Sequence, residues 1–283
     1  MPKNTNSIRP IRVFAVTSGK GGVGKTNISV NIGVALAESG HSVALFDADM
    51  GLANVDVMLG LQPRFNFSHV LSGEKTLDEV MVTGPSNLKV IPGASGIQRM
   101  SELSPIEQAA VIRSFSEMDQ NIDVLIVDTA AGISSSVVNF SKACQEVIVV
   151  VCDEPTSLTD AYAFIKLLNR DHGVFRFQIL TNMTSRAEQG RKLFVKLCKV
   201  TDRYLDVALN YMGSVPSDEY LRRAVRKQAA VVEVYPQSSS AQAFRNLARK
   251  SESWPVAQQA GGHLEFFVER IIHSNVVNGE IMA

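Results

Sequence analysis

Gly19-Lys20-Gly21-Gly22-Val23-Gly24-Lys25-Thr26 follows the apolar, β-branched run Ile11-Arg12-Val13-Phe14-Ala15-Val16-Thr17. It precedes Asn27-Ile28-Ser29-Val30-Asn31-Ile32-Gly33-Val34-Ala35-Leu36-Ala37, which can coil as a buried helix. The octet fits G-x-x-x-x-G-K-[ST], and strand, glycine loop, helix is the context in which that pattern binds phosphate. Glycines let backbone N–H groups turn toward phosphate oxygens, and the helix N-terminus adds partial positive charge. Gly21, Gly22, Val23 and Gly24 read as the cradle, with Asn27 just behind it. Lys25 reads as the lysine that reaches the β- and γ-phosphates, and the Thr26 hydroxyl as a Mg2+ ligand.

Working outward, the apolar runs are Val13–Thr17, Ser42–Asp47, Leu88–Pro92, Val124–Asp128, Val147–Cys152, Phe175–Thr181 and Tyr211–Val215. They are near-continuous, as in a parallel sheet covered on both faces. Helical patterns fill the gaps at Thr26–Glu38, Ser104–Met118, Ser134–Ala143, Ser157–Asn169, Arg186–Val200, Asp218–Gln228 and Ser239–Ser253. Right-handed crossovers then predict a doubly wound, mostly parallel α/β domain over residues 11–260, with nucleotide at the carboxyl ends of the strands. Residues 1–10 read as a flexible polar tail and 261–283 as a C-terminal amphipathic helix and tail.

The chain has 283 residues, enough for a substantial core. Lys+Arg and Asp+Glu are equal at 28 each, which argues against coating nucleic acid by bulk electrostatics. Cys144, Cys152 and Cys198 are too scattered for a C-x-x-C metal or cluster site, and an odd count gives no disulfide framework; a reducing cytoplasm fits. No signal peptide opens the chain, and no apolar run approaches the ~18 residues of a spanning helix.

Two acidic segments belong with the loop. Asp47 and Asp49 lie two apart at the end of the second strand, so in extended chain both face the same side. Carboxylates there can hold metal-bound water or orient an attacking water. Val124-Leu125-Ile126-Val127-Asp128 puts a carboxylate at a strand end, where it can hold the Mg2+ shell, and the small, Gly-containing segment after it can move with the γ-phosphate. Asn182 and Asp218 end two later strands. Asn182 has the donor and acceptor an adenine edge requires; turn and N-cap chemistry is the competing reading for both.

Lys20 is a second lysine, between two glycines, with no packing to hold it along its own loop. Here the chain resembles the deviant Walker A ATPases of the MinD and ParA family. That resemblance implies a homodimer closed over ATP, with Lys20 crossing the interface to the partner's nucleotide. It also implies slow, regulatory hydrolysis of ATP to ADP and phosphate. Asp49 would position the water, Asp47 would support Mg2+, and Asn182 and Asp218 would contact the base. Cys152-Asp153-Glu154-Pro155-Thr156-Ser157-Leu158-Thr159-Asp160-Ala161-Tyr162, Lys199–Val207 and Gly262–Arg270 are similar to the flagellar-number regulators of the FlhG and FleN kind. The implied partners are the transcriptional activator FleQ, the GTPase FlhF and flagellar switch proteins. Many FlhG proteins carry an N-terminal D-Q-A-x-x-L-R motif that Met1–Arg12 lacks, so the antiactivator role is favoured over FlhF stimulation. A MinD- or ParA-like positioning ATPase, for the division site or polar cargo, is the alternative. The missing C-x-x-C argues against an iron–sulfur carrier.

Leu264, Phe267, Val268, Ile271 and Ile272 fall on one helical face, with Phe266 off it. Such a face can enter the inner-membrane interface, giving a cytoplasmic protein peripherally bound near the pole, or it can dock on the domain. Packing in the monomer and release in the dimer would combine the two. Between Tyr220 and Lys250 stand seven basic residues and one acid; zero net charge favours a solvated face or protein-binding patch over a DNA surface.

Overall fold

A computed structural model describes residues 11–94, 103–118, 120–255 and 264–268. Among them, eight strands form one sheet in the order β3-β4-β2-β5-β1-β6-β7-β8. The central strands are β1 (Arg12–Ser18), β2 (Val43–Ala48), β5 (Val124–Ala131) and β6 (Glu146–Val151). β7 (Arg176–Thr184) and β8 (Ala208–Pro216) continue one side; β4 (Lys89–Ile91) and β3 (Val82–Thr83) finish the other. Every pairing is parallel except β3 with β4.

Side chains alternate across β1, which explains the two-sided burial. Phe14 and Val16 pack with α1 (Lys25–Glu38) and α11 (Ser239–Glu252), whereas Val13 and Ala15 pack with α5 (Pro105–Ser114) and α6 (Ser135–Lys142). α7 (Pro155–His172) and α8 (Ala187–Tyr204) cover β6 and β7. The doubly wound expectation is met.

Three differences have physical causes. Between β2 and β4 the chain forms α2 (Val55–Met58), α3 (Phe67–Leu71) and α4 (Leu77–Val80). These are too short to show a helical period; capping boxes at Asn66/His69 and Thr76/Glu79 mark two of them instead. β8 starts three residues before the expected run, because an edge strand alternates exposed and half-buried positions and does not read as apolar throughout. β7 runs on to Thr184, placing Asn182 inside the strand.

The C-terminal segment also departs from expectation. Phe266 and Phe267 are both about 1% exposed, although helical spacing placed Phe266 off the apolar face. Their rings meet Phe115 at 5.0 and 6.0 Å, and the Phe266 N–H donates to the Ala143 carbonyl at 3.2 Å. Phe267 has φ 59°, so a left-handed turn, not a continuous helix from Leu264, carries both rings inward. For residues 264–268 the docked alternative is what the fold adopts. The remainder of the expected helix, and the tail at 1–10, lie outside the described residues.

Candidate active site

Parallel register builds the site. Asp47 on β2 stands opposite Asp128 on β5, and Asp128 stands opposite Val16 on β1, just before the glycine loop. All three strand ends therefore converge at the start of α1. Gly22 and Gly24 take φ 78° and 91°, values a side chain would strain, and α1 begins at Lys25 with no side-chain cap. Its first N–H groups are left for an external anion.

Lys25 Nζ donates to Ser18 Oγ at 3.1 Å, and Ser18 Oγ donates to the Lys20 carbonyl at 2.6 Å. Burial lowers the Lys25 pKa, against the pull of Asp128 and Asp49. Asp128 is buried; it accepts from Ser29 Oγ at 2.8 Å and hydrogen-bonds Thr26. Burial still raises its pKa from 3.8 to about 6. A buried carboxyl short of positive charge, beside a threonine hydroxyl and a lysine, is the donor set Mg2+ on a nucleoside triphosphate requires. The residues present fit that pair.

Asp47 does something other than offer an open carboxylate. It is buried, and its oxygens accept from the N–H groups of Asp49 (3.2 Å), Asn54 (2.8 Å) and Val55 (3.0 Å). Burial, then Asp128, raises its pKa well above the ordinary value despite those bonds. Asp47 thus pins the loop after β2. Asp49 is half-buried; its Oδ1 accepts from Leu52 N–H at 3.1 Å, and its charge acts on both Lys25 and Asp128.

Lys20 lies back on its own chain, with Nζ bonded to Glu154 and to Thr156 Oγ1 at 3.0 Å. α7, which opens at this contact, crowds the loop: a Cβ on Gly19 would stand 2.3 Å from the Asp160 backbone. Asn182 reaches the loop too. Its Nδ2 donates to the Val23 carbonyl at 2.7 Å, and a Cβ on Gly24 would come within 2.5 Å of the same nitrogen. Asp218 does not join the cluster by any bond. Its Oδ1 caps α9 (Glu219–Arg226) through Tyr220 N–H at 2.9 Å, and Oδ2 accepts from Ser240 N–H and Oγ at 2.9 and 2.8 Å.

Sequence reading missed Ser18, Ser29, Glu154 and Thr156 as participants. Ser29 had a local signal, one turn along α1 from Lys25. Glu154 and Thr156 had none, standing more than a hundred residues from Lys20.

A phosphate loop at a strand–helix junction, two strand-end aspartates and a second loop lysine define a P-loop nucleotide-hydrolase site. The family model described as ParA, NUBPL iron-transfer P-loop NTPase, matches residues 10–251, and the chain belongs to this family. It is 56% identical over 270 residues to the antiactivator FleN of Pseudomonas aeruginosa, covering 95% of this chain and 96% of that one. It is 33% identical over 238 residues to the flagellum site-determining protein YlxH of Helicobacter pylori, covering 84% and 80%. Among solved structures, the septum site-determining protein MinD of Pyrococcus horikoshii, complexed with Mg-ADP, superposes with a TM-score of 0.71 at 25% identity, covering 86% and 96%.

Proposed function

We propose that this chain is an ATPase switch that dimerises around ATP and Mg2+ and limits flagellar number, acting as antiactivator of a FleQ-type transcriptional activator. Near full-length similarity to an antiactivator at 56% identity is the observation that supports the flagellar assignment. FlhF and flagellar switch proteins are further partners in this reading.

The chain's own residues then have these tasks. The N–H groups of Gly21–Gly24 and the uncapped start of α1 hold phosphate oxygens. Lys25 exchanges Ser18 for the β- and γ-phosphates. Thr26 and Asp128 would hold Mg2+, which would supply positive charge to offset that of the phosphates. Asp49 orients the attacking water, on a loop that Asp47 fixes from below. Lys20 leaves Glu154 and Thr156 to reach the partner's nucleotide. Breaking that exposed contact costs little, since water screens a surface ion pair and solvates both partners once they part. Contact with the inner membrane, near the pole, requires the segment at Phe266 and Phe267 to leave its seat on Phe115 and Ala143. No helix among the described residues is long and apolar enough to cross a membrane.

Two measurements test the reading. ATP with Mg2+ should convert monomer to dimer by light scattering while ADP does not, and Lys20→Ala should bind nucleotide yet stay monomeric. A dimer of normal affinity in that variant removes the trans role. Cells lacking the protein should carry more polar flagella than the parent. Unchanged flagellar number with misplaced division would assign the MinD-type positioning role instead, which similarity to MinD of Synechocystis, 32% identical over 245 residues, keeps as the second reading.

A further inference from the structure

The cations of α9 are surface chemistry that nucleotide binding does not use. Arg222, Arg223, Arg226 and Lys227 are all exposed on or just after α9. Glu219 meets Arg222 at 3.5 Å and Arg223 at 3.6 Å, distances too long for strong pairing. Over the whole chain the charges cancel, so this excess is local.

Beside these cations runs an apolar groove. It has a volume of about 330 Å3 and is lined by Tyr220, Val234, Tyr235, Pro236, Gln237 and Ser238. The two tyrosine rings that line it stand 5.1 Å apart, and each carries a cation: Arg223 lies 5.7 Å from the Tyr220 ring centre, Lys227 5.1 Å from that of Tyr235. Ring contact restrains long side chains that would otherwise roam, so less freedom is lost when an anion arrives. Tyr220 remains 48% exposed, so its ring offers open aromatic surface to a ligand.

We propose that this groove is a docking site for an acidic segment of a protein partner, with an apolar side chain seated between the tyrosines and flanking carboxylates on Arg223, Arg226 and Lys227. Charge complementarity selects the acidic partner, and the apolar lining selects a polypeptide. A phosphodiester backbone would leave the apolar groove unfilled. Buried apolar anchors with a charged rim are the arrangement that gives protein contacts both affinity and fast association.

Fluorescence polarisation of the full chain tests this with three labelled probes: a short glutamate-rich peptide with a central Trp-Leu pair, the same peptide with Ser-Ser in its place, and duplex DNA. The Trp-Leu peptide should bind about tenfold more tightly than the Ser-Ser peptide, as expected for one seated apolar anchor. Arg226→Glu with Lys227→Glu should weaken the Trp-Leu peptide about tenfold or more at unchanged melting temperature. Tyr220→Ser should abolish the preference for Trp-Leu while sparing Ser-Ser binding. Arg249→Glu, a charge reversal on α11 outside the groove lining, should leave all three unchanged. Equal binding of the two peptides overturns the groove, and charge reversal without effect overturns the site. Tighter binding of DNA than of either peptide overturns the protein partner in favour of nucleic acid.

Discussion

Replacing Asn182 with alanine separates two roles for that residue. A base contact is what family resemblance implies, whereas the geometry ties its Nδ2 to the Val23 carbonyl inside the phosphate loop at 2.7 Å. Val23 is about 1% exposed, so Asn182→Ala leaves a carbonyl with no water in place of the lost donor. An orphaned buried acceptor costs about 1–3 kcal/mol. If the loop relaxes by re-aiming its peptides, that cost appears as lost phosphate affinity, roughly 5- to 150-fold at ~1.4 kcal/mol per tenfold. The assay is calorimetric titration of wild type and Asn182→Ala with ATP, ADP and inorganic tripolyphosphate, all with Mg2+. Tripolyphosphate has no base. A loop-positioning role predicts a similar fold loss for all three ligands. A pure base contact predicts loss for ATP and ADP alone, and unchanged tripolyphosphate affinity would refute the positioning argument. Asn182→Asp keeps the size but sets a carboxylate against the Val23 carbonyl, and should lose at least as much affinity as the alanine variant.

Other predictions follow from the same geometry. Asp49→Ala should dimerise with ATP but hydrolyse it about 100-fold more slowly, measured by phosphate release, because contacts to the nucleotide survive while the water loses its orienting group. The folded Asp128 carboxyl has its pKa raised from 3.8 to about 6, so the folded state binds this proton more tightly than the unfolded chain. That contribution is present at low pH and is lost as pH rises through about 6, by about 1 kcal/mol between pH 5 and pH 7. Nucleotide-free protein should show this loss in denaturant midpoints, and Mg2+ with nucleotide should suppress it, since the cation stabilises the carboxylate; an unchanged slope with ligand counts against Asp128 as a Mg2+ holder. Phe267→Glu should lower the melting temperature sharply, because a charge at a site about 1% exposed is left unpaired in an aromatic cluster. A normal melting temperature with lost vesicle binding would show that the ring normally faces lipid.

The sheet and the phosphate loop were legible because both are written locally. Val13–Thr17 and Val124–Asp128 are apolar without alternation, and the glycine spacing at Gly19–Thr26 has few other uses. What escaped reading depends on distance along the chain. The contact between Lys20 and Glu154 spans 134 residues, and that between Asn182 and Val23 spans 159. No local pattern encodes such a meeting; only the parallel register that brings strand ends together does. Asp47 shows a subtler failure. Its spacing from Asp49 says nothing of whether an oxygen is free, and three backbone N–H groups already bond its carboxylate. Over residues 264–267 helical spacing misplaces Phe266, because a left-handed Phe267 breaks the period there.

That turn has a practical bearing on genetics. Phe266 and Phe267 roof the Phe115 ring, and Phe266 closes the end of α6 through Ala143. A shortened chain that stops before them uncovers an aromatic patch and strips a hydrogen bond from the end of the helix that follows β5. Such a protein is prone to stick to itself, and its helix end is free to fray. A phenotype from that deletion would report insolubility as readily as any lost contact of the tail. Point changes at residues after Val268, with solubility measured alongside, are the cleaner instrument for asking where the protein goes.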